Sequence, residues 1–301
     1  MQETVTQKRG DFYMDVRQFS GGGAEVVVKV VRPMHEGAIR SVADPLSYSN
    51  YCKANGLPVA TKDRRYSFAD EPMTEFKKEE NHERALRRAT QGIRWLVRNV
   101  GADRLLTLTY RENMTDRERL KADFQRFLRL VKRGWKGGAG YSEWKYVAVI
   151  ERQERGAYHI HLAVKGWQRI SFLRAAWQKA LGGSGDETGG DTLGNVDVTS
   201  PAKSRWGTSF REWESGKLAG YLVKYLAKTF EQSDSEKKRY WHSAAATAPE
   251  KSRVIFGATN VLDAFMECEV VLREQFGLSI DFRRSWSSEK WDSFWFSIAG
   301  R

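Results

Sequence analysis

Residues 143–166 read EWKYVAVIERQERGAYHIHLAVKG, and the way this stretch folds decides the domain. Two runs rich in Val, Ile, Tyr and His, 143–154 and 157–166, flank the pair Arg155-Gly156. β-Branched and aromatic residues favour strands, and a short Gly-containing turn between two such runs predicts a β-hairpin. Side chains alternate along a strand, so Ile160, Leu162 and Val164 share one face while His159 and His161 share the other. The chain has five histidines in 301 residues. Two of them on one face of one strand require a reason.

The flanking sequence supplies helices to cover such a hairpin. Leu86, Ala89, Ile93, Leu96, Val97 and Val100 recur at helical spacing, and Gly101 ends the run. RLLTLTY (104–110) alternates and reads as a strand. Thr115-Asp-Arg-Glu118 has the form of a capping box, opening a helix with Leu120, Phe124, Phe127, Leu128 and Val131 on its apolar face. Leu173, Ala176, Trp177, Ala180 and Leu181 mark another helix. GGSGDETGGDTLG (182–194) reads as a flexible loop by composition. NVDVTS (195–200) reads as a short strand, and a helix follows over about 217–230. A strand at RVIFG (253–257) and a helix over about 260–276 come next. The order β, α, β, β, α, β, α with a hairpin inside predicts an α+β domain, a central antiparallel sheet covered by helices. We place it at 79–258. Residues 1–78 read as an irregular extension with one strand in GAEVVVKVVRP (23–33). Residues 259–301 form a helical, aromatic C-terminal segment, with Trp291 and Trp295 spaced as on a packing helix.

Composition narrows the partner. Apolar residues make up 41% and aromatics 12%, enough for a folded core. Lys and Arg number 50 against 38 Asp and Glu, a net charge of +12. Such a surplus favours a polyanionic partner, nucleic acid before an anionic membrane. The two cysteines, Cys52 and Cys268, have no zinc spacing and fit a reducing, cytoplasmic setting as small buried hydrophobes. The N-terminal sequence lacks the apolar core of a signal peptide, and no apolar run reaches membrane-helix length. No membrane partner is expected.

His159 and His161 stand about 7 Å apart along the strand and can converge on one ion. The preceding strand offers a third ligand, Glu151 or Gln153. An odd-length loop would set Glu151 opposite His161. Two imidazoles and one oxygen ligand suit a divalent ion such as Mg²⁺ or Mn²⁺ that also holds a phosphate oxygen, and Zn²⁺ is possible by ligand type.

GYLVKYLAK (220–228) adds a second signal. Tyr221, Lys224, Tyr225 and Lys228 fall at i, i+3, i+4 and i+7 and form one stripe. Leu218, Leu222, Val223 and Leu226 form another, about 130° away. The helix therefore packs by its apolar stripe and presents two phenols and two ammonium groups. A phenol becomes a nucleophile toward phosphorus when a neighbouring cation favours the phenolate, and Lys224 lies between the two in sequence. For holding single-stranded nucleic acid, KKRYWH (237–242) and KSRWGTSFREW (203–213) combine cations with aromatics. Lys237, Lys238, Arg239, Lys228 and Trp206 are the leading candidates, with Trp213, Tyr240 and Trp241 as further stacking residues.

HIH followed some 60 residues later by YxxKY resembles the HUH endonucleases, specifically the two-tyrosine rolling-circle replication initiators of phages and plasmids. LLTLTY (105–110), ERQERGAYHIHLAV (151–164) and YLVKYLAK (221–228) resemble their three motifs in order, over roughly 100–230. The resemblance implies the palm-like HUH fold, and with it sequence-specific nicking and rejoining of single-stranded DNA at a replication origin in a bacterial host cell. Tyrosine would attack the phosphate, leaving a 5′-phosphotyrosine and a free 3′-OH for a host polymerase, alongside a host helicase. It implies His159, His161 and Glu151 as ligands of Mg²⁺ or Mn²⁺, Tyr221 and Tyr225 as nucleophiles, and Lys224 as assistant to phosphate or phenolate. No GxxxxGK[ST] segment indicates a fused helicase.

Other readings of the same motifs are a relaxase or a transposase of the same superfamily. Relaxases carry their tyrosine near the N-terminus, where Tyr13 fits only loosely. A non-catalytic single-stranded nucleic-acid binder would need the basic aromatics but neither HIH nor both tyrosines. A barrel-type metal hydrolase would need more ligands on later strands, where His242 is the one histidine.

Overall fold

The computed structural model describes residues 10–30, 75–134, 140–199, 214–231, 240–258, 260–279, 285–288 and 293–298. Along the chain run β1 (Gly10–Gln18), β2 (Ala24–Val30), α1 (Glu75–Val100), β3 (Arg104–Tyr110) and α2 (Arg117–Arg133). Then come β4 (Tyr146–Arg152), β5 (Tyr158–Val164), α3 (Ile170–Ala180), β6 (Gly194–Thr199) and α4 (Ser215–Glu231). β7 (Tyr240–His242), β8 (Ser252–Ala258), α5 (Val261–Phe276), β9 (Ser285–Ser288) and β10 (Ser293–Ile298) complete the order. The class is α+β, with two antiparallel five-stranded sheets among the described residues. The chain divides into two compact units, one built of 17–24 and 82–251, the other of 1–16, 25–81 and 252–298.

The first unit holds the expected hairpin. Its sheet has the order β6-β3-β5-β4-β7, so β5 lies at the centre with β3 and β4 beside it. Alternation along the strands supplies two apolar faces. Leu106, Leu108, Ile150, Ile160, Leu162 and Val164 pack against Leu120, Phe124 and Phe127 of α2 and Leu173, Ala176 and Trp177 of α3. Trp177 is fully buried, and its indole N–H donates to the Thr109 carbonyl at 2.9 Å, so burying it strands no donor. Leu105, Val147, Val149 and Ala163 face the other way, onto Ile93, Leu96 and Val97 of α1 and Leu218, Leu222 and Leu226 of α4. The apolar stripes read from the sequence for α1, α2, α3 and α4 are the buried ones.

Two local readings change. Asp116 caps α2 in place of Thr115, its carboxylate accepting from the backbone N–H of Glu118 at 2.9 Å and Arg119 at 3.1 Å. Asp accepts at an N-cap as readily as Thr, so the S/T-x-x-E pattern places the cap one residue early. The glycine-rich loop after α3 is tied by the Glu187 carboxylate, which accepts from the backbone N–H of Ser184 and Gly185. Composition alone misses such an internal clamp.

In the second unit the sheet order is β8-β1-β2-β10-β9. β1 lies in the stretch read as irregular; its buried Phe12, Met14 and Val16 alternate with polar and aromatic neighbours. The tail 286–297 is strand rather than helix: β9 and β10 pair with Trp295 opposite Trp286. Phe294, Phe296 and Ile298 are buried at a period of two, which an i, i+4 pair of tryptophans also satisfies. Trp291 lies outside the described residues. Phe265 of α5 packs on Phe294 at 5.4 Å between ring centres. Cys268 is a buried free thiol 3.0 Å from the Met14 sulfur, and burial, aided by the Glu269 charge, pushes its pKa up to about 12. It is thus the inert hydrophobe expected, while Cys52 lies outside the described residues.

Candidate active site

The β4–β5 turn sets the register of the site. Gly156 adopts φ of +86°, its N–H reaches the Gln153 carbonyl at 2.8 Å, and the Gln153 N–H reaches the Ala157 carbonyl at 2.8 Å. Closed this way, the hairpin sets Glu151 opposite His159 and Val149 opposite His161. The expected pairing of Glu151 with His161 is therefore displaced by two residues. A two-residue shift leaves every side chain on its original face, so the carboxylate still reaches His161 along the diagonal. Glu151 Oε2 lies 2.8 Å from His161 Nε2.

Glu151, His159 and His161 form one cluster, each offering a ligand atom within 4.8 Å of the others'. Glu151 and His161 are buried and His159 is half-buried. Burial raises the Glu151 pKa, but hydrogen bonds and charge from His161 and Lys228 outweigh it and hold the carboxyl below its ordinary value. His159 is shifted down by burial and by the neighbouring His161, against the pull of Glu151. A low-pKa imidazole and an ionised carboxylate are the protonation states that a cation requires. The donor set, two imidazoles and one carboxylate, fits a divalent ion, and this cluster can bind one.

Each histidine is held from behind. Thr107 lies directly opposite His161 on β3, its hydroxyl 3.1 Å from Nδ1. Gln153 Nε2 lies 3.2 Å from His159 Nδ1, and Arg155 Nε donates to Gln153 Oε1 at 2.9 Å. Gln153, the alternative third ligand, thus sits behind His159, while Glu151 lies within the cluster. Partners on the far ring nitrogen fix ring orientation and tautomer in metal sites. Thr107 is not among the residues the sequence motifs single out, although its place in the alternating RLLTLTY run puts it on the histidine face.

Helix α4 brings the tyrosines to this cluster. The Tyr225 ring stacks on His161 with centres 3.7 Å apart and planes 8° from parallel. Its hydroxyl donates to the Tyr221 oxygen at 3.0 Å. Burial, the Tyr221 hydrogen bond and the Glu151 charge together push the Tyr225 pKa up. Lys228 Nζ meets Glu151 Oε1 at 3.1 Å. Lys224 is exposed and makes no ion pair or hydrogen bond among the described residues. The ammonium group that reaches the cluster is therefore that of Lys228, which the sequence suggests for DNA binding. Thr229 anchors the helix: its buried hydroxyl lies 2.6 Å from the Ile150 carbonyl, one residue before Glu151. No sequence pattern points to Thr229, because a Thr near a helix end reads as a surface residue.

Of the other candidates, Trp206, Trp213, Lys237, Lys238 and Arg239 lie outside the described residues. Trp241 stacks on Phe124 at 5.4 Å and is partly buried against the core. Tyr240 is likewise packed against the opposite core face. No helix of the described residues is long and apolar enough to cross a membrane.

No curated protein and no solved structure matches the chain significantly. Residues 103–230, less than half of the chain, match the sequence model of a family described as Replication-associated protein ORF2. The matched span runs from the residue before β3 to the penultimate residue of α4, and so takes in the histidine–glutamate cluster, Thr107 and both tyrosines. This match supports a role in initiating replication, with DNA at an origin as the partner.

Proposed function

We propose that this protein is an HUH-type, two-tyrosine initiator of rolling-circle replication that nicks and rejoins single-stranded DNA. The observation that carries the reading is the stacking of Tyr225 on His161, with Tyr221 hydrogen-bonded to it, beside a three-ligand cluster. A nucleophile pair and a metal-type donor set on separate elements, some 60 residues apart, have no packing need to meet; a phosphoryl transfer does need them together.

Glu151, His159 and His161 would hold Mg²⁺ or Mn²⁺. When bound there, the ion would supply Lewis-acid polarisation of the scissile phosphate. Thr107 and Gln153 orient the two rings. A tyrosine oxygen on α4 attacks phosphorus, the P–O3′ bond breaks, and the strand end becomes a 5′-phosphotyrosine. The phenol proton leaves and the departing 3′-oxygen gains one, giving a free 3′-OH for a host polymerase to extend. Lys228 holds Glu151 ionised and lies near enough to α4's phenols to favour negative charge there. The two phenols share one hydrogen bond, so donor and acceptor exchange by rotation of a single proton. This suits two nucleophiles that act in turn. Attack by the 3′-OH on the phosphotyrosine reverses the step and rejoins DNA. Lys224, exposed on the same stripe, and the basic aromatic segments around 203–213 and 237–242 would carry the strand.

The test is a cleavage assay with Mn²⁺ or Mg²⁺ and labelled single-stranded oligonucleotides tiling the protein's own replicon. The expected result is one cleaved oligonucleotide with a polymerase-extendable 3′ end, lost with EDTA, in His161→Ala and in Glu151→Gln. Tight binding without cleavage, across metals and the whole replicon, would favour a non-catalytic single-strand binder instead.

A further inference from the structure

A second feature of the first unit lies beside α3. A cleft of about 510 Å³ is lined by Arg104, Trp167, Arg174 and Asp197 over Leu106, Ile170 and Val198. Its floor is apolar, with Leu106 buried and Ile170 and Val198 packed against the same core. Trp167 at its mouth is 70% exposed. An indole left in water forgoes most of its burial free energy, so its position asks for a ligand.

The turn that presents Trp167 is held rigidly. The Gly166 N–H donates to Asp103 Oδ1 at 2.8 Å, and Gly166 takes φ of +77°. The buried Gln168 side chain donates to the Lys165 carbonyl at 2.9 Å, and the Arg169 N–H donates to the Tyr141 hydroxyl at 3.1 Å. Such a turn does not collapse its tryptophan onto the core, and little order is lost when a ligand stacks on it. Arg174 Nε is fixed to the Val196 carbonyl at 3.0 Å, which orients a guanidinium toward the cleft while four further N–H donors remain on it. Arg104 contributes a second guanidinium, beside Asp103 at 3.7 Å.

An exposed, pre-set aromatic face, two guanidinium groups and an apolar floor match a base with its phosphate. Leu106 lines this cleft while Thr107, the next residue of β3, faces the histidine cluster on the other side of the sheet. β6 is the edge strand next to β3, so one sheet edge separates the two places. We infer that the Trp167 cleft is a second contact site for the same single strand of DNA, holding a base against Trp167 and a phosphate at Arg174 after the strand crosses the β6 edge. The inference rests on the DNA-nicking reading.

The test measures affinity of the full chain for fluorescein-labelled dT30 by anisotropy in 0.1 M NaCl. Replacing a stacking aromatic by alanine costs about five- to a hundredfold in affinity. Trp167→Ala is expected to weaken binding about tenfold, and Trp167→Phe to stay within about threefold of wild type. Trp167 is exposed, so both variants should keep the wild-type Tm. A 5-bromodeoxyuridine oligonucleotide should photocrosslink to the peptide carrying Trp167. Unchanged affinity in Trp167→Ala, or absence of that crosslink, would overturn the inference. So would saturable binding of thymidine monophosphate alone that Trp167→Ala abolishes, since it would assign the cleft to a free nucleotide. Failure of the parent reading looks different: wild type would bind dT30 through Trp167 yet form no tyrosine adduct with any replicon oligonucleotide.

Discussion

Thr107→Val should weaken divalent-metal binding about tenfold without unfolding the protein. Val has nearly the same shape as Thr, so the change removes a single oxygen, 3.1 Å from His161 Nδ1. In the geometry observed, His161 Nε2 lies 2.8 Å from Glu151 and donates to it, so the neutral ring has Nδ1 as acceptor from the Thr107 hydroxyl. To ligate an ion through Nε2 the ring must take the other tautomer, with a proton on Nδ1. A hydroxyl can then accept that proton's hydrogen bond, because it serves as donor or acceptor alike. Valine leaves the Nδ1–H unmet, and His161 is only 4% exposed, so water does not replace the partner. An unsatisfied buried donor costs about 1–3 kcal/mol, and loss of such an outer partner costs metal sites about 10–100-fold. A neutral hydroxyl is the weakest partner in that range, which places the loss near tenfold. Calorimetric titration of Mn²⁺ into wild type, Thr107→Val and Thr107→Ser measures it, with Ser expected to restore most of the affinity. Binding by Thr107→Val within twofold of wild type would refute the reasoning.

Three more outcomes follow from the same geometry. Thr229→Val leaves the Ile150 carbonyl without its 2.6 Å hydroxyl and should lower unfolding stability by about 1–2 kcal/mol, read as a shift in urea midpoint at unchanged m; an unmoved midpoint would show that α4 is anchored otherwise. Leu222→Ala, in the fully buried stripe of α4, should cost about 3 kcal/mol by the same measurement, and a loss under about 1 kcal/mol would contradict its place in the core. The metal-free protein should lose stability on acidification, because both shifted groups act in one direction. His159 is held below its ordinary value, so below about pH 6.5 the unfolded chain binds a proton that the native state resists. Glu151 is also held low, and its contribution disappears as pH falls through that lowered value. The fall in urea midpoint from pH 7.5 to 5.5 should be smaller in His159→Gln than in wild type; equal falls would remove His159 from the account.

Much of the first unit is legible in the sequence because its elements obey clear periods. HIH on a strand and YLVKY on a helix fall on faces that simple geometry assigns, and those faces meet. Register is less legible, since the turn at Gln153–Ala157 is closed by backbone hydrogen bonds that residue types do not specify. It moves Glu151 from opposite His161 to opposite His159 and leaves the face intact. Thr107, Thr229 and the reach of Lys228 to Glu151 depend on which strands and helices become neighbours, and no local pattern encodes that. The second sheet escapes a sequence reading for the same reason. β1, β8 and β10 come from both ends of the sequence, and each is short and polar on one face. The aromatic tail 293–298 satisfies a helical spacing and a strand alternation at once, and pairing with β9 decides for the strand.

The central claim is that a tyrosine of α4 becomes covalently joined to DNA beside the histidine–glutamate cluster. Tandem mass spectrometry of the protein after incubation with Mn²⁺ and its cleaved origin oligonucleotide tests this most directly. The expected product is a phosphodiester-linked nucleotide on Tyr221 or Tyr225, absent with EDTA and absent from the Tyr221→Phe/Tyr225→Phe double variant. Cleavage that persists in that double variant, or an adduct mapped to any other residue, would contradict it.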